Sequence, residues 1–284
     1  MNPVPKASLA EKKSVLGARL KACGRLLVAF SGGKDSFFLW QAADKTLGTA
    51  NVLPYFIVTP FTQASTLERV AYFRDKFSMP LRELRIDLLK DARLRRNPRQ
   101  RCFFCKMKMF SALKNEARRL GIGVIADGTT ASDLGEHRPG LRALEKLAVE
   151  SPLRAAGITA TDIVASLKRQ GVASYYLSSS TCLATRFPYD FSLDPEKIQA
   201  IGRIEHHLVC SGITPVRVRH MTGGVRIETV PVHFKKLIAM RAGLMRRCRA
   251  EGFRFTTLDL GGLTSGCWDE FPAAAAPGRG VFSK

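Results

Sequence analysis

No run of apolar residues in this 284-residue chain approaches the roughly 18 to 20 needed to cross a bilayer. The longest, such as Leu26 to Phe30 and Phe56 to Val58, have the length of buried strands, so a membrane-spanning helix is not expected. Internal repeats and low-complexity tracts are also missing from the body of the chain. Hydrophobic residues at 45% and charged residues at 24% are the balance of a globular protein with a sizeable core. The spacing of a small disulfide-stapled fold is absent: seven cysteines, an odd number, lie scattered, and the N-terminus has no apolar signal core. A reducing cytoplasm is the expected home. The basic first 25 residues read as a leading helix and not as a transit peptide, because Glu11 interrupts them and a folded motif follows at once.

Acidic residues are scarce. Against 45 Lys and Arg there are 24 Asp and Glu, which leaves a net charge of +21. Such a field attracts RNA, DNA, an anionic membrane surface or phosphorylated small molecules. The stretch from Arg93 to Lys108 holds basic residues and no acidic one, and Lys235 to Arg254 is a second cluster. A solvated basic face with no specific partner accounts for these runs equally well before motifs are considered.

The order of elements points to an α/β fold. Leu9, Leu16 and Leu20 have helical spacing, closed by Gly24, and the buried-strand run Leu26 to Phe30 follows. A helix from Ser36 to Leu47, a strand from Asn51 to Val58, a helix from Ser65 to Phe77 and a strand from Leu81 to Ile86 come next. A helix from Lys106 to Leu120 and a strand from Ile122 to Ala126 complete the set. Alternating strands and helices imply a parallel sheet covered on both faces. The texture changes near Ser151: Thr159 and Asp162 have capping-box spacing, Asp194-Pro195 opens a helix, and a hairpin turns at Gly223-Gly224. A helix from His233 to Ala250 and a strand from Phe253 to Leu260 finish a small α+β unit. The expected domains are therefore 1–150 (α/β), 151–270 (α+β) and a disordered tail over 271–284.

The strongest chemical signal is Ser31-Gly32-Gly33-Lys34-Asp35-Ser36, between a strand and a helix. Two glycines permit a tight turn and close approach of a ligand. Amide N–H groups at the helix start, with the hydroxyls of Ser31 and Ser36, make an anion trap to which Lys34 adds a cation. The pattern is neither the Walker nor the dinucleotide fingerprint. A second signal is the pair Cys102 and Cys105 beside Arg101 and Lys106, whose charges favour thiolates. Two thiols three residues apart can share one metal, and Cys182, in a Ser/Thr-rich segment, is the candidate third ligand. An iron–sulfur cluster, zinc and thiols without metal all stay open from the residues, with no fourth ligand in view for structural zinc. Cys210 and Cys248 lie in helical patterns and read as small buried hydrophobes. In Val216-Arg217-Val218-Arg219-His220, alternation puts Arg217 and Arg219 on one strand face, a pairing that suits a phosphate.

The hexapeptide resembles the pyrophosphate loop of the ATP pyrophosphatase (PP-loop) superfamily, of the adenine nucleotide alpha hydrolase-like fold. Further along, Asp127-Gly128-Thr129, Asp133 to Ala143, Ser151-Pro152-Leu153 and Cys182 to Pro188 follow the order of the LarE family within it. That family comprises ATP-dependent sulfur transferases of nickel-pincer nucleotide synthesis. The resemblance implies ATP and Mg2+ at Ser31, Gly32, Gly33, Lys34, Asp35 and Ser36, with Asp127, Gly128 and Thr129 joining the nucleotide site. It implies catalytic roles for Asp35, Cys182 and Glu205, and a substrate phosphate held by Arg217, Arg219 and Arg186. It also implies a [4Fe-4S] cluster on Cys102, Cys105 and Cys182, in the manner of the members that carry all three cysteines. The implied partners are a phosphorylated small-molecule substrate and other enzymes of the same cofactor pathway, with a homo-oligomer in view and no membrane. A tRNA thiolase of the same superfamily, favoured by the +21 charge, and a nucleotide-binding relative without catalysis are the alternatives.

Overall fold

The computed structural model describes residues 7–133, 139–177 and 181–264. The chain divides into two compact units, one of Met1–Leu88 with Gln100–Thr181 and one of Leu89–Arg99 with Cys182–Lys284. In chain order the elements are α1 (Leu9–Cys23), β1 (Leu26–Phe30), α2 (Lys34–Leu47), β2 (Val52–Val58), α3 (Ala64–Lys76) and β3 (Arg82–Arg85). Next come α4 (Ala92–Arg95), α5 (Arg101–Arg119), β4 (Val124–Asp127), α6 (Pro139–Lys146), α7 (Pro152–Ala155) and α8 (Ala160–Arg169). The last are α9 (Pro195–Cys210), β5 (Val216–Met221), β6 (Gly224–Thr229), α10 (Phe234–Ala239), α11 (Arg241–Ala250) and β7 (Phe255–Leu258). No helix among the described residues is long and apolar enough to cross a membrane.

The first unit is the expected covered parallel sheet, in the order β3-β2-β1-β4 with every pairing parallel. Strand alternation explains why β1 is apolar throughout. Leu26, Val28 and Phe30 pack with Leu20 of α1, Phe37 of α2, Phe73 of α3 and Leu167 of α8. Leu27 turns to the opposite face, against Tyr55, Ile125 and the α5 residues Phe110, Leu113 and Ala117. Phe37 is fully buried and its ring stacks on Phe73 at 4.1 Å between centroids. The capping box of α8 is present: Thr159 N donates to Asp162 Oδ2 at 3.0 Å and Asp162 N to Thr159 Oγ1 at 3.2 Å. Because Ile163 and Leu167 belong to the core of the parallel sheet, residues 151–177 join this unit, although the texture of the sequence changes at Ser151.

The second unit holds a three-stranded sheet, β5-β6-β7, in which the β5–β6 hairpin is antiparallel and β7 runs parallel to β6. Residues 89–99 are stitched into it. Leu193 N donates to Arg95 O at 2.7 Å, Asp190 N to Asn97 O at 3.1 Å, and Asn97 Nδ2 to Pro188 O at 2.6 Å. Asn97 is fully buried with φ +52°, a conformation that Asn adopts more readily than most residues. The basic run from Arg93 to Lys108 is thus shared between two units. Two expected elements differ. The single helix from His233 breaks at Met240 (φ −90°, ψ 6°) into α10 and α11, and α5 begins at Arg101, ahead of Lys106, so both cysteines of the pair lie inside it. The expected tail over 271–284 lies outside the described residues.

His220 on β5 is buried within an aromatic group, its ring 4.4 Å from Phe191 and 5.2 Å from Phe187 between centroids. Burial, with a smaller push from Lys197, lowers its pKa from 6.5 to about 4. Between those values the unfolded chain binds a proton that the folded chain does not. Stability is therefore full above about pH 6.5, declines as pH falls through the window, and by about pH 4 has lost on the order of 3 kcal/mol from this group. His220→Phe keeps the ring packing and removes the titration. Its melting temperature should fall less than that of the wild type between pH 6.5 and 4; equal slopes would refute the assignment.

Candidate functional site

After Phe30 the chain turns through Ser31, Gly32 and Gly33 and enters α2 at Lys34. Gly32 has φ +75°, and a Cβ there would lie 2.8 Å from Val70 Cγ2 and 2.9 Å from Thr66 Cγ2. Glycine is required on both grounds. Gly33, at φ −99° and ψ 161°, caps α2 without a side chain, so the first amides of a 14-residue helix meet no capping group. The serines tie the loop itself: Ser31 N donates to Ser36 Oγ at 3.1 Å, Ser36 Oγ to Gly33 O at 3.0 Å, and the two hydroxyls are 3.0 Å apart. From α3, the buried Arg69 donates through Nε to Gly32 O at 3.2 Å. The sequence reading missed Arg69; its signal is an arginine on the apolar helix face that also carries Val70 and Phe73.

Adjacent pairing of β1 with β4 brings Asp127-Gly128-Thr129 to the same place. A Cβ on Gly128 would sit 2.7 Å from Ser36 N and 2.8 Å from Ser36 Cα, so only glycine lets this loop lie against the start of α2. Asp127 is buried, and its carboxylate accepts from Thr129 Oγ1 at 2.5 Å and Ser151 Oγ at 2.7 Å, which shapes the loop. Asp35 is more open to chemistry. Its Oδ2 is 3.2 Å from Lys34 Nζ, while Oδ1 is buried and has no hydrogen-bond partner among the described residues. Burial raises its pKa, Lys34 opposes that shift, and nearby Asp133 adds to it. Asp133 in turn accepts from Thr130 N at 2.8 Å and Thr130 Oγ1 at 2.9 Å.

An uncapped helix start, a lysine and a carboxylate oxygen lacking a donor fit a polyphosphate with a divalent cation. Gly32→Ala and Gly128→Ala are each expected to cost roughly 1 to 3 kcal/mol in chemical denaturation. Gly33→Ala, at a backbone angle any residue adopts, should cost less than about 1 kcal/mol. Equal costs at the three positions would sink this account of the loop.

The thiols separate by unit. Cys102 is exposed and Cys105 half-buried on the first turn of α5, next to the buried Arg101, whereas Cys182 is exposed in the second unit ahead of the turn Leu183–Arg186. None of them forms a disulfide. Among the described residues, no three His, Cys, Asp or Glu side chains gather where they could share a metal ion. The expected three-cysteine set draws on both units, Cys102 and Cys105 from the first and Cys182 from the second. Cys248 is buried as expected, and burial raises its thiol pKa. Cys210 is exposed, contrary to expectation: it lies at the C-terminal end of α9, with Sγ 3.5 Å from His206 Nε2.

The arginines of the second unit are largely committed to carboxylates. Arg186 and Glu205, both buried, form a two-pronged ion pair, and Glu205 Oε1 also accepts from Val218 N at 2.7 Å. Arg217 and Arg219 share a strand face, as alternation requires, but their surroundings differ. Arg217 is half-buried and donates through Nη1 to Thr264 O at 2.9 Å. Arg219 is 2% exposed and donates to Glu228 Oε2 at 3.0 Å and to Thr185 O at 2.7 Å. Glu228 was not singled out from sequence. Its signal is a lone acid in an otherwise apolar or basic hairpin, directly opposite Arg217.

No family model matches the chain. Over 260 residues, 92% of this chain and 94% of the relative, it is 29% identical to the pyridinium-3,5-bisthiocarboxylic acid mononucleotide synthase of Lactiplantibacillus plantarum. It is 30% identical over 244 residues to an uncharacterized protein of Synechocystis, covering 85% of this chain and 91% of that one. A further uncharacterized protein, from Methanocaldococcus jannaschii, is 28% identical over 236 residues, 83% of this chain and 89% of its own. Each match runs across both units, and together with the parallel sheet and its glycine loops they place the chain in the LarE family.

Proposed function

We propose that the chain is an ATP-dependent sulfur transferase that activates a carboxylate of a pyridinium mononucleotide and replaces the AMP with sulfur. One observation carries the ATP half: the unpartnered, buried Asp35 Oδ1 beside the uncapped start of α2, closed over by the Gly128 loop. The substrate half rests on the named Lactiplantibacillus plantarum relative, a synthase of the bisthiocarboxylic acid mononucleotide.

In this reading the amides of α2 and Lys34 stabilise the negative charge that develops on the leaving pyrophosphate as the substrate carboxylate attacks the α-phosphorus. Asp35 holds Mg2+, which neutralises phosphate charge when bound. Asp127 keeps Gly128 and Thr129 in the conformation that walls the nucleotide. Arg217, the more open of the two strand arginines, takes the phosphate of the mononucleotide, with Arg219 fixed behind it. Glu205 acts by holding Arg186. Sulfur then displaces AMP from the acyl carbon, with Cys182 as the exposed thiol that serves the transfer. The [4Fe-4S] cluster on Cys102, Cys105 and Cys182 rests on the resemblance.

A tRNA thiolase is the second reading, favoured by Lys235, Lys236, Arg241, Arg246, Arg247 and Arg249. These are exposed along α10 and α11 with no acidic residue among them. Pyrophosphate release measured with the pyridinium dicarboxylate mononucleotide and, separately, with bulk tRNA divides the two. Stimulation by the mononucleotide is expected, and stimulation by tRNA alone would reverse the choice. Asp35→Asn should lower pyrophosphate release by about 100-fold, whereas Cys182→Ala should keep release and lose thiocarboxylate formation. Iron and sulfide content after anaerobic reconstitution tests the cluster: unchanged iron in Cys182→Ala would exclude Cys182 as a ligand.

A further inference from the structure

Glu228 on β6 is 1% exposed and lies between two guanidinium groups. Its Oε2 accepts from Arg219 Nε at 3.0 Å and its Oε1 from Arg226 Nη2 at 2.9 Å, while Arg226 Nε reaches Asp259 Oδ2 at 3.3 Å. With its Nε fixed by this pair, Arg219 extends Nη1 to the carbonyl oxygen of Thr185 at 2.7 Å. Thr185 belongs to the turn that follows Cys182. Its amide and hydroxyl both donate to Cys182 O, at 3.0 and 2.8 Å, and the same hydroxyl lies 2.7 Å from Arg186 Nη1. The other side of the turn is apolar: Leu183 and Ala184 are buried, and Leu183 Cδ1 packs so closely on α9 that a Cβ at Gly202 would lie 3.1 Å from it. Cys182 itself, at φ −61° and ψ 152°, stays exposed at the head of the turn.

From this chain of contacts we infer that Glu228 is a positioning residue for Cys182, acting through Arg219 and the Thr185 carbonyl. A buried Arg–Glu pair adds little net stability over apolar residues of the same shape, but breaking it by removing one charge is costly. Its geometry is also directional, since the planar guanidinium presents fixed N–H vectors. Here one vector is spent on Glu228 and another on the backbone of the Cys182 turn. The pair thereby converts a fixed point inside the sheet into a fixed position for an exposed thiol. Hydrophobic packing of Leu183 alone would leave the turn free to rotate about its buried side. The functional weight of this inference rests on the reading of Cys182 as the transfer thiol; the geometry does not.

The test uses the full chain freed of metal with a chelator. Iodoacetamide labelling is followed peptide by peptide, with exposed Cys210 at the far end of α9 as internal reference. Glu228→Gln is expected to raise Cys182 labelling relative to Cys210 by about fivefold, the factor for a loss near 1 kcal/mol. Amide exchange should rise with it over residues 182–186 and not across the whole unit. Arg219→Lys, which keeps one cation but cannot hold Glu228 and Thr185 O together, should give the same local pattern and covers the case in which Glu228→Gln does not fold. An unchanged labelling ratio in a folded variant, or exchange that rises evenly through the unit, would overturn the inference. If Cys182→Ala retains sulfur transfer while Glu228→Gln still changes the ratio, the transfer reading fails and the positioning stands.

Discussion

The close approach of the Gly128 loop to the first turn of α2 is the constraint on which the site depends. Neighbouring parallel strands β1 and β4 end side by side, and the chain leaving each must share a space too narrow for a side chain. Gly128 resolves this with no Cβ, and Gly32 resolves the matching problem against α3 with a positive φ. The consequence is electrostatic. Asp35 and Asp133 end up close enough for their carboxylates to repel, next to one lysine and a set of uncapped amides. A folded state that holds a carboxylate oxygen buried without a donor carries an energetic cost, and a cation with phosphate is the partner that would offset it.

The second unit uses charge in another way. Its buried arginines, Arg186 and Arg219, are matched by Glu205 and Glu228 and draw in backbone atoms of the Cys182 turn and of β5. Part of the positive excess in the sequence is therefore internal architecture. Much of the rest lies in solvent, as along α10 and α11, where little besides Leu237, Leu244 and Cys248 is buried. Surface arginines of that kind contribute little to stability and shape the long-range field, which favours anionic substrates of any size.

Legibility in the sequence followed the range of the interaction. The β1 strand, the capping box at Thr159 and Asp162, the hairpin around Gly223 and the glycine loop were readable, because each is set by residues within a few positions of one another. The break at Met240 was not readable, since the surrounding residues favour a continuous helix and periodicity does not say where its backbone turns out of line. The exposure of Cys210 escaped for the same reason: periodicity places it on a helix but does not say that the helix ends in solvent there.

From sequence alone came the class of fold, the glycine loop between a strand and a helix, and the kinship that the relatives bear out. Those properties reside in local order and in motif succession, both of which survive in one dimension. Tertiary structure alone decided how the charges are spent. It buried Arg219 against Glu228, left Asp35 Oδ1 without a donor, and set Gly128 against Ser36. It divided the basic run between units. The physical reason is that hydrogen bonding and desolvation depend on neighbours far apart in the chain, and which neighbours those are is settled only when the sheets pair and the helices pack.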